Sequence, residues 1–201
     1  MVKRVVPIVL GVLLLAGCGA PGAQELRGDA QEAYGAARTP RPASGADEDF
    51  NYPDVMFLQM MAVHNRQGVE LVGLAPERAA RQEVKTLAAA IATTQEAEAA
   101  SMTDRLIGWG QPVTPRAGQH AAHGGMSPEM TKVAIAAIAD AAPADFEHKL
   151  LNMLIAQQDD AIQMARMEAV SGWNPEVRAL AARIEVSRAA QIKQMLALLG
   201  Q

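Results

Sequence analysis

The sequence predicts an all-α protein, a four-helix bundle in which one helical hairpin occurs twice. The first observation is an internal repeat, because residues 54–106 align without a gap on residues 147–199, 93 positions further along. Apolar residues coincide in this register, as Met61 does with Leu154. The second observation is that apolar residues recur at steps of three and four in both copies, without an alternating strand pattern. Such a register indicates duplication of one supersecondary unit.

Proline, glycine and capping residues predict the helix boundaries. The predicted helices span residues 53–73, 76–109, 128–140, 143–172 and 174–199. Proline falls in or near the first turn of each, where its missing N–H costs nothing. Ser127 and Asn174 are predicted N-caps. Residues 111–125, which contain Pro, Gly and His, form the long crossover between the two hairpins.

Residues 1–17 are predicted to be a signal peptide and not part of the fold. A short basic start is followed by an apolar run too short to span a membrane, and Leu15-Ala16-Gly17-Cys18 follows. These four residues resemble a bacterial lipobox. The resemblance implies cleavage before Cys18 and lipid attachment to it, which would anchor the chain on the extracytoplasmic side of the cell membrane. The alternative is an ordinary secretory signal with an incidental cysteine.

The remaining chain is predicted to contain one domain behind a linker. Residues 18–51 are rich in Ala, Gly, Pro and Arg and predict a flexible, lipidated tether, and residues 52–201 form the bundle domain. Without residues 1–17 the chain has 16 basic and 22 acidic residues, a net charge of −6, which does not favour nucleic acid. Cys18 is the only cysteine, so no disulfide framework or thiolate metal site is expected.

Eight polar residues fall on the predicted apolar stripes of the four long helices. They are His64, Asn65, Gln95, Glu98, Gln157, Gln158, Arg188 and Gln191. A polar group in a core costs about 1–3 kcal/mol unless it finds a partner. We therefore expect these side chains to meet in one hydrogen-bonded layer across the middle of the bundle.

Two patterns in the first copy resemble a known family. They are Asp54-x-x-Phe57-Leu58-x-x-Met61-x-x-His64-Asn65 and Leu87-Ala88-x-x-Ile91-x-x-x-Gln95-x-x-Glu98-x-x-x-Met102. In residue type and spacing they are similar to the bacterial secreted family called domain of unknown function 305, and the resemblance covers residues 54–199. It implies an exported, ferritin-like four-helix bundle, with copper or other metal handling in some relatives.

The sequence departs from the family pattern where a metal would bind. Of two His-His pairs only His64 is present, and of two Gln-x-x-Glu pairs only Gln95 and Glu98 remain, with Arg188 at the second glutamine position. Amides are poor ligands for transition metals, and arginine carries a permanent positive charge. We hypothesise that Arg188 replaces the metal and is neutralised by Glu98, with His64 and the amides completing a hydrogen-bond network. The alternative keeps His64 and Glu98 as metal ligands.

The crossover supplies a second candidate metal site, His120-x-x-His123-x-x-Met126-x-x-x-Met130. Imidazole and thioether ligands suit copper, particularly the cuprous ion. The alternative is that Gly125-Met126 belongs to the inherited scaffold of the family and that the two histidines occur there by chance. Four further methionines fall at helical spacings and are interpreted as core packing in preference to a copper relay. They are Met60, Met153, Met164 and Met167.

The sequence therefore predicts an exported, membrane-anchored lipoprotein that is not an enzyme, with copper as the one cofactor to consider. No nucleophile motif and no phosphate-binding loop is present. The alternative is a metal-free structural or interaction module that offers its helical surface to a protein partner in the cell envelope.

Overall fold

The structure is a computed structural model that describes residues 49–115 and 128–200, without the side chains of residues 128–130. The helices in these ranges are α1 Tyr52–Val72, α2 Ala75–Arg78, α3 Gln82–Gly108, α4 Pro128–Ala139, α5 Pro143–Ser171 and α6 Pro175–Leu199. The described residues contain no β-strand. None of these helices combines the length and apolar character needed to cross a membrane. Several predictions lie outside the described residues: the signal peptide, Cys18, most of the tether, His120, His123, Met126 and the side chain of Met130.

Four long helices form the predicted bundle. Helix α1 packs along α3, α5 packs along α6, and the two hairpins meet mainly through α1 and α5. The start of α6 follows the predicted cap, because the Asn174 side chain accepts hydrogen bonds from backbone N–H groups in the first turn. Asn51, which was not predicted as a cap, accepts a hydrogen bond from the N–H of Asp54 at the start of α1. The predicted all-α helical bundle is therefore confirmed.

The second predicted helix, residues 76–109, is wrong at its start, because extended residues interrupt it and divide it into α2 and α3. Ala79 and Arg81 have extended backbone conformations, and the N–H groups of Ala80 and Arg81 both donate to a carboxylate oxygen of Glu147 at 2.7 Å. Arg81 Nε donates to the other oxygen at 2.6 Å. Glu147, on α5 of the other hairpin, therefore caps α3. Helix propensity along the sequence cannot predict such a long-range contact.

The same contact occurs in the second half of the repeat. Asp54, which aligns with Glu147, accepts hydrogen bonds from the N–H groups of Trp173 and Asn174 at 3.0–3.2 Å. These two positions lie 93 residues after Ala80 and Arg81. Each hairpin thus holds the loop of the other through an acid near the start of its own first helix, and this reciprocal contact relates the two copies by an approximate two-fold axis.

The core is divided into two apolar clusters at opposite ends of the bundle. One includes Leu58, Met102 and Ile184, and the other includes Leu71 and Phe146. On each long helix the predicted polar residues lie in sequence between the members of these clusters. The polar side chains therefore occupy a layer between two apolar ends.

The bundle begins slightly before the predicted boundary at residue 52. Phe50 stacks on Trp109 with ring centroids 4.2 Å apart, and the Asp49 carbonyl accepts a hydrogen bond from Asn174 Nδ2 at 2.9 Å. Residues 49–51, assigned above to the tether, are therefore part of the domain. We call this end of the bundle, where α1 begins, the proximal end.

Candidate functional site

The structure places all eight predicted layer residues in the interior. Asn65, Gln95, Gln157, Gln158 and Arg188 are buried, whereas His64, Glu98 and Gln191 are partly buried. They come from the middle of α1, α3, α5 and α6, and they form more than one hydrogen-bonded group.

The first group is an ion pair with an amide. Arg188, whose side chain is fully buried, donates from NH2 to Glu98 Oε2, and to Asn65 Oδ1 at 3.4 Å. Asn65 Nδ2 donates to the same glutamate oxygen at 2.9 Å. Burial lowers the pKa of the Arg188 guanidinium and Glu98 raises it, so the pair offsets part of the desolvation cost.

The second group lies on the approximate two-fold axis. His64 Nε2 is 2.9 Å from the carbonyl oxygen of Gln157, and Gln157 Nε2 donates to the carbonyl oxygen of His64 at 3.2 Å. Residues 64 and 157 are equivalent in the repeat, so each bonds the backbone of its counterpart. Gln95 Nε2 adds a bond to Gln157 Oε1 at 3.3 Å. The sequence hypothesis had His64 complete the Arg188–Glu98 network, but among the described residues its side chain instead bonds the backbone of Gln157.

Gly68 makes the second group possible. A Cβ atom at this position would lie 2.1 Å from Gln95 Oε1 and 2.5 Å from Gln157 Nε2. Both distances are below any real contact, so a side chain here would displace the glutamine pair. The glycine in α1 therefore allows α3 and α5 to place their amides against the helix backbone.

Several buried polar atoms of the layer have no hydrogen-bond partner among the described residues. They are Gln95 Oε1, Gln158 Oε1 and Nε2, Arg188 Nε and NH1, and Gln191 Oε1. Buried polar groups without protein partners are the usual places for ordered water. The layer is thus only partly satisfied by the protein itself.

A small cavity of about 40 Å³ lies beside the layer, between α1, α4 and α5. Its lining residues are Met60, Val63, His64, Gln67, Leu71, Thr131, Met153, Gln157, Asp160 and Met164. The volume suffices for one water molecule or a single ion. Eight of these residues are four pairs related by the 93-residue register: 60 and 153, 64 and 157, 67 and 160, 71 and 164. The cavity therefore also lies on the two-fold axis.

The cavity was not predicted from the sequence, because the methionines were interpreted as core packing. Met60 and Met164 are indeed buried, but Met153 is only partly buried and Met167 is exposed, so the interpretation of Met167 is wrong. A signal was present, since the four paired lining residues of each helix follow one another at steps of four, three and four.

The chemistry of His64 is fixed by its contact with Gln157. A carbonyl oxygen only accepts hydrogen bonds, so Nε2 carries the proton and Nδ1 keeps its lone pair. Burial lowers the pKa of His64 to about 4, the bond to Gln157 opposes this shift, and the charge of Arg188 adds to it. At neutral pH His64 is therefore an uncharged imidazole with one nitrogen oriented by a backbone carbonyl, an arrangement that is also common among metal-binding histidines.

The two regions differ in their fit to a metal cation. In the layer, Glu98 is already paired with the Arg188 guanidinium, which would repel a cation. No group of three or more His, Cys, Asp or Glu side chains in the described residues could hold a metal ion. The cavity instead offers one imidazole and three thioethers, a soft ligand set. Asp160 also lines it, and burial together with Asp159 raises the pKa of its carboxyl group.

The fold and the site define a duplicated four-helix bundle with a polar layer and a methionine-lined cavity on its two-fold axis. The chain belongs to the family described as domain of unknown function (DUF305), whose model matches residues 54–199. A comparison with curated proteins gives no match.

Three solved structures are similar over most of the domain. A DUF305 fragment from Deinococcus radiodurans is 28% identical, with a TM-score of 0.67 over 76% of this chain and 99% of that one. CopM in the Cu(I)-bound form is 26% identical, with a TM-score of 0.60 over 72% and 94%. A DUF305 protein from Streptomyces coelicolor, described as secreted, is 23% identical, with a TM-score of 0.67 over 74% and 92%. The last likeness concerns the fold alone.

Proposed function

We propose that this protein is an exported, membrane-anchored, non-enzymatic protein of the cell envelope that binds cuprous copper at the cavity beside His64. The observation that carries the proposal is the neutral imidazole of His64, oriented by the Gln157 carbonyl, among the thioethers of Met60, Met153 and Met164. Thioether and imidazole ligands select Cu(I) over harder cations. The likeness to CopM, which was solved with Cu(I) bound, supports the same metal.

Export and anchoring rest on the sequence. The basic and apolar start of the chain, followed by Leu15-Ala16-Gly17-Cys18, is the support for a lipid on Cys18. The copper would then be bound outside the cytoplasm. The crossover residues His120, His123, Met126 and Met130 remain a separate predicted copper site outside the described part of the chain.

The test is a competition titration with Cu(I) under reducing conditions, using a chromophoric chelator. The protein would be residues 18–201 without a polyhistidine tag and with His120→Ala/His123→Ala, which isolates the cavity from the crossover. We expect His64→Gln and Met60→Leu to weaken binding by about tenfold or more, since each removes a ligand. Met56→Leu is the matched control, because Met56 is equally buried on α1 but does not line the cavity.

The outcomes separate the alternatives. Binding that disappears with the crossover histidines alone would place the copper in the crossover and contradict the cavity site. Binding in none of these proteins would favour the metal-free interaction module, to which the Arg188–Glu98 pair in the polar layer lends support.

A further inference from the structure

The exposed large hydrophobic side chains of the described residues are concentrated at one end of the bundle. Five of the eight lie at the proximal end, and they are Tyr52, Ile107, Met167, Val170 and Trp173. Val170 and Trp173 are 88% and 69% exposed. We call these five residues the proximal patch. Scattered surface hydrophobics are ordinary, but their accumulation at one end marks a surface that meets an apolar partner.

The patch is held in place and is not the tip of a loose loop. The N–H of Trp173 donates to Asp54 at 3.2 Å, and Asn51 Nδ2 donates to the carbonyl oxygen of Ser171 at 2.9 Å. These bonds fasten the α5–α6 loop to the start of α1. Trp173 is therefore presented to the outside from a backbone fixed at two points.

The two tryptophans of the chain have different surroundings at this same end. Trp109 stacks on Phe50, lies 5.6 Å from the guanidinium of Arg105 and is partly buried. The Trp173 side chain is instead mostly exposed. A large amphipathic ring in this situation suits the boundary between water and lipid, where tryptophan is enriched in proteins.

The chain also enters the domain at the proximal end. The Asp49 carbonyl accepts a hydrogen bond from Asn174, the neighbour of Trp173. Thirty residues lie between Cys18 and Asp49. A lipid on Cys18 would therefore be joined to the domain at the proximal end and not at the opposite end.

We propose that the proximal patch docks onto the lipid bilayer surface, so that the domain rests on the membrane through Trp173 and its apolar neighbours. This inference rests on the anchoring half of the proposed function and is independent of copper. The net charge of −6 without residues 1–17 does not attract anionic lipid. Docking therefore depends on apolar insertion and persists on zwitterionic vesicles and at high salt.

The test uses residues 18–201, in which Cys18 is the only cysteine. Its thiol is coupled to a maleimide-bearing lipid in phosphatidylcholine vesicles, so the chain is anchored whether or not the cell lipidates it. Bromine atoms on the acyl chains quench a tryptophan that enters the bilayer. We expect a blue shift and quenching of the wild-type emission, and loss of both in Trp173→Ser, which reports Trp109 alone.

A matched pair of valines controls for the surface change. Val170→Asp should abolish the quenching, whereas Val186→Asp, at a valine 73% exposed in the middle of α6, should leave it intact. Unquenched wild-type emission on vesicles that carry the anchored protein would overturn the proposal and leave the patch to a protein partner. Equal effects of both valine variants would overturn it as well. Failure of lipidation in cells would contradict the anchor but not this result.

Discussion

Arg188 is the residue whose position is least expected for its type, since its side chain is fully buried in the middle of an alanine-rich bundle. Glu98 and Asn65 satisfy one of its nitrogens, and the other two have no partner among the described residues. The sequence predicted the partner from the spacing of Gln95 and Glu98 and from the repeat register. It did not predict the incomplete satisfaction of the guanidinium, because that depends on side-chain geometry.

The first prediction is a coupling between Arg188 and Glu98. We expect Glu98→Gln to lower the free energy of unfolding by about 3 kcal/mol, because it leaves a buried charge unpaired. Arg188→Met should cost less, since Glu98 is partly exposed and can be hydrated. Chemical denaturation of both single variants and the double variant should give a coupling of about 1–3 kcal/mol. Additive effects would mean that the pair does not stabilise the layer.

The second prediction concerns Gly68. Gly68→Ala should lower the free energy of unfolding by about 1–3 kcal/mol, despite the better helix propensity of alanine, because the new methyl group displaces Gln95 and Gln157. Gly108→Ala is the control, since a Cβ there meets nothing within 4 Å. It should be neutral or stabilise by up to about 1 kcal/mol. Equal thermal stability of the two variants would show that the glutamine pair tolerates the methyl group.

At the scale of elements, the reciprocal contacts of Asp54 and Glu147 hold the loops between the helices. The N–H groups of Arg81 and Ala80 and the Arg81 guanidinium outweigh the effect of burial and keep the pKa of Glu147 below its ordinary value. A carboxyl group with a lowered pKa contributes stability above its unfolded pKa and loses it as the pH falls. Asp54 accepts the equivalent backbone hydrogen bonds from Trp173 and Asn174 in the other hairpin.

The third prediction is that both acids stabilise the fold. Asp54→Asn and Glu147→Gln should each lower the free energy of unfolding by about 1–3 kcal/mol, because an amide accepts more weakly and its NH2 group faces N–H donors. Glu96→Gln, at an exposed position in the middle of α3, is the control. Denaturation midpoints measure all three. A loss confined to one of the two acids would contradict the equivalence of the hairpins.

Glu168 is a buried carboxyl group beside Asp54, and its pKa is shifted in the opposite direction to that of Glu147. It is 2% exposed, and neither of its oxygens meets a donor among the described residues. Burial, a hydrogen bond with Asp54 and the charge of Asp54 raise its pKa to about 8, and Arg178 opposes this shift. Glu168 is therefore protonated at neutral pH, and its O–H can donate a hydrogen bond to the Asp54 carboxylate.

The fourth prediction follows from this raised pKa. The unfolded chain ionises Glu168 near pH 4.5 and the folded chain near pH 8, so this group makes the fold less stable as the pH rises between these values. We expect the wild type to lose up to about 3 kcal/mol more than Glu168→Gln between pH 5 and pH 8. Denaturation at several pH values measures the difference. Parallel curves for the two proteins would show that Glu168 is ionised in the fold.

At the scale of the whole molecule, the 93-residue register explains both what the sequence predicts and what it leaves out. The four long helices, most of their boundaries and the interior position of the polar residues follow from the repeat and from capping residues. The break at Ala79–Arg81 and the cavity do not, since both depend on contacts between the hairpins. The pairs that line the cavity can be identified in the register. Whether methionines at these positions pack a continuous core or line a cavity depends on the packing of the helices.

The repeat also shows how the two halves diverged. Arg188 of the second copy pairs with Glu98 of the first copy. The residues that align with them, Gln95 and Gln191, are neutral amides. The Arg188 guanidinium would repel a cation in the layer, whereas His64 remains neutral and lines the methionine-containing cavity. The proposed copper site therefore lies beside the layer and not in it.

Anomalous X-ray diffraction at the copper edge tests this placement most directly, using crystals of residues 18–201 grown with Cu(I). We predict an anomalous peak in the cavity, within bonding distance of His64 Nδ1 and the methionine sulfurs, that is absent in His64→Gln crystals. A peak beside Glu98 in the polar layer, or none in the bundle while the protein binds copper in solution, would contradict the account.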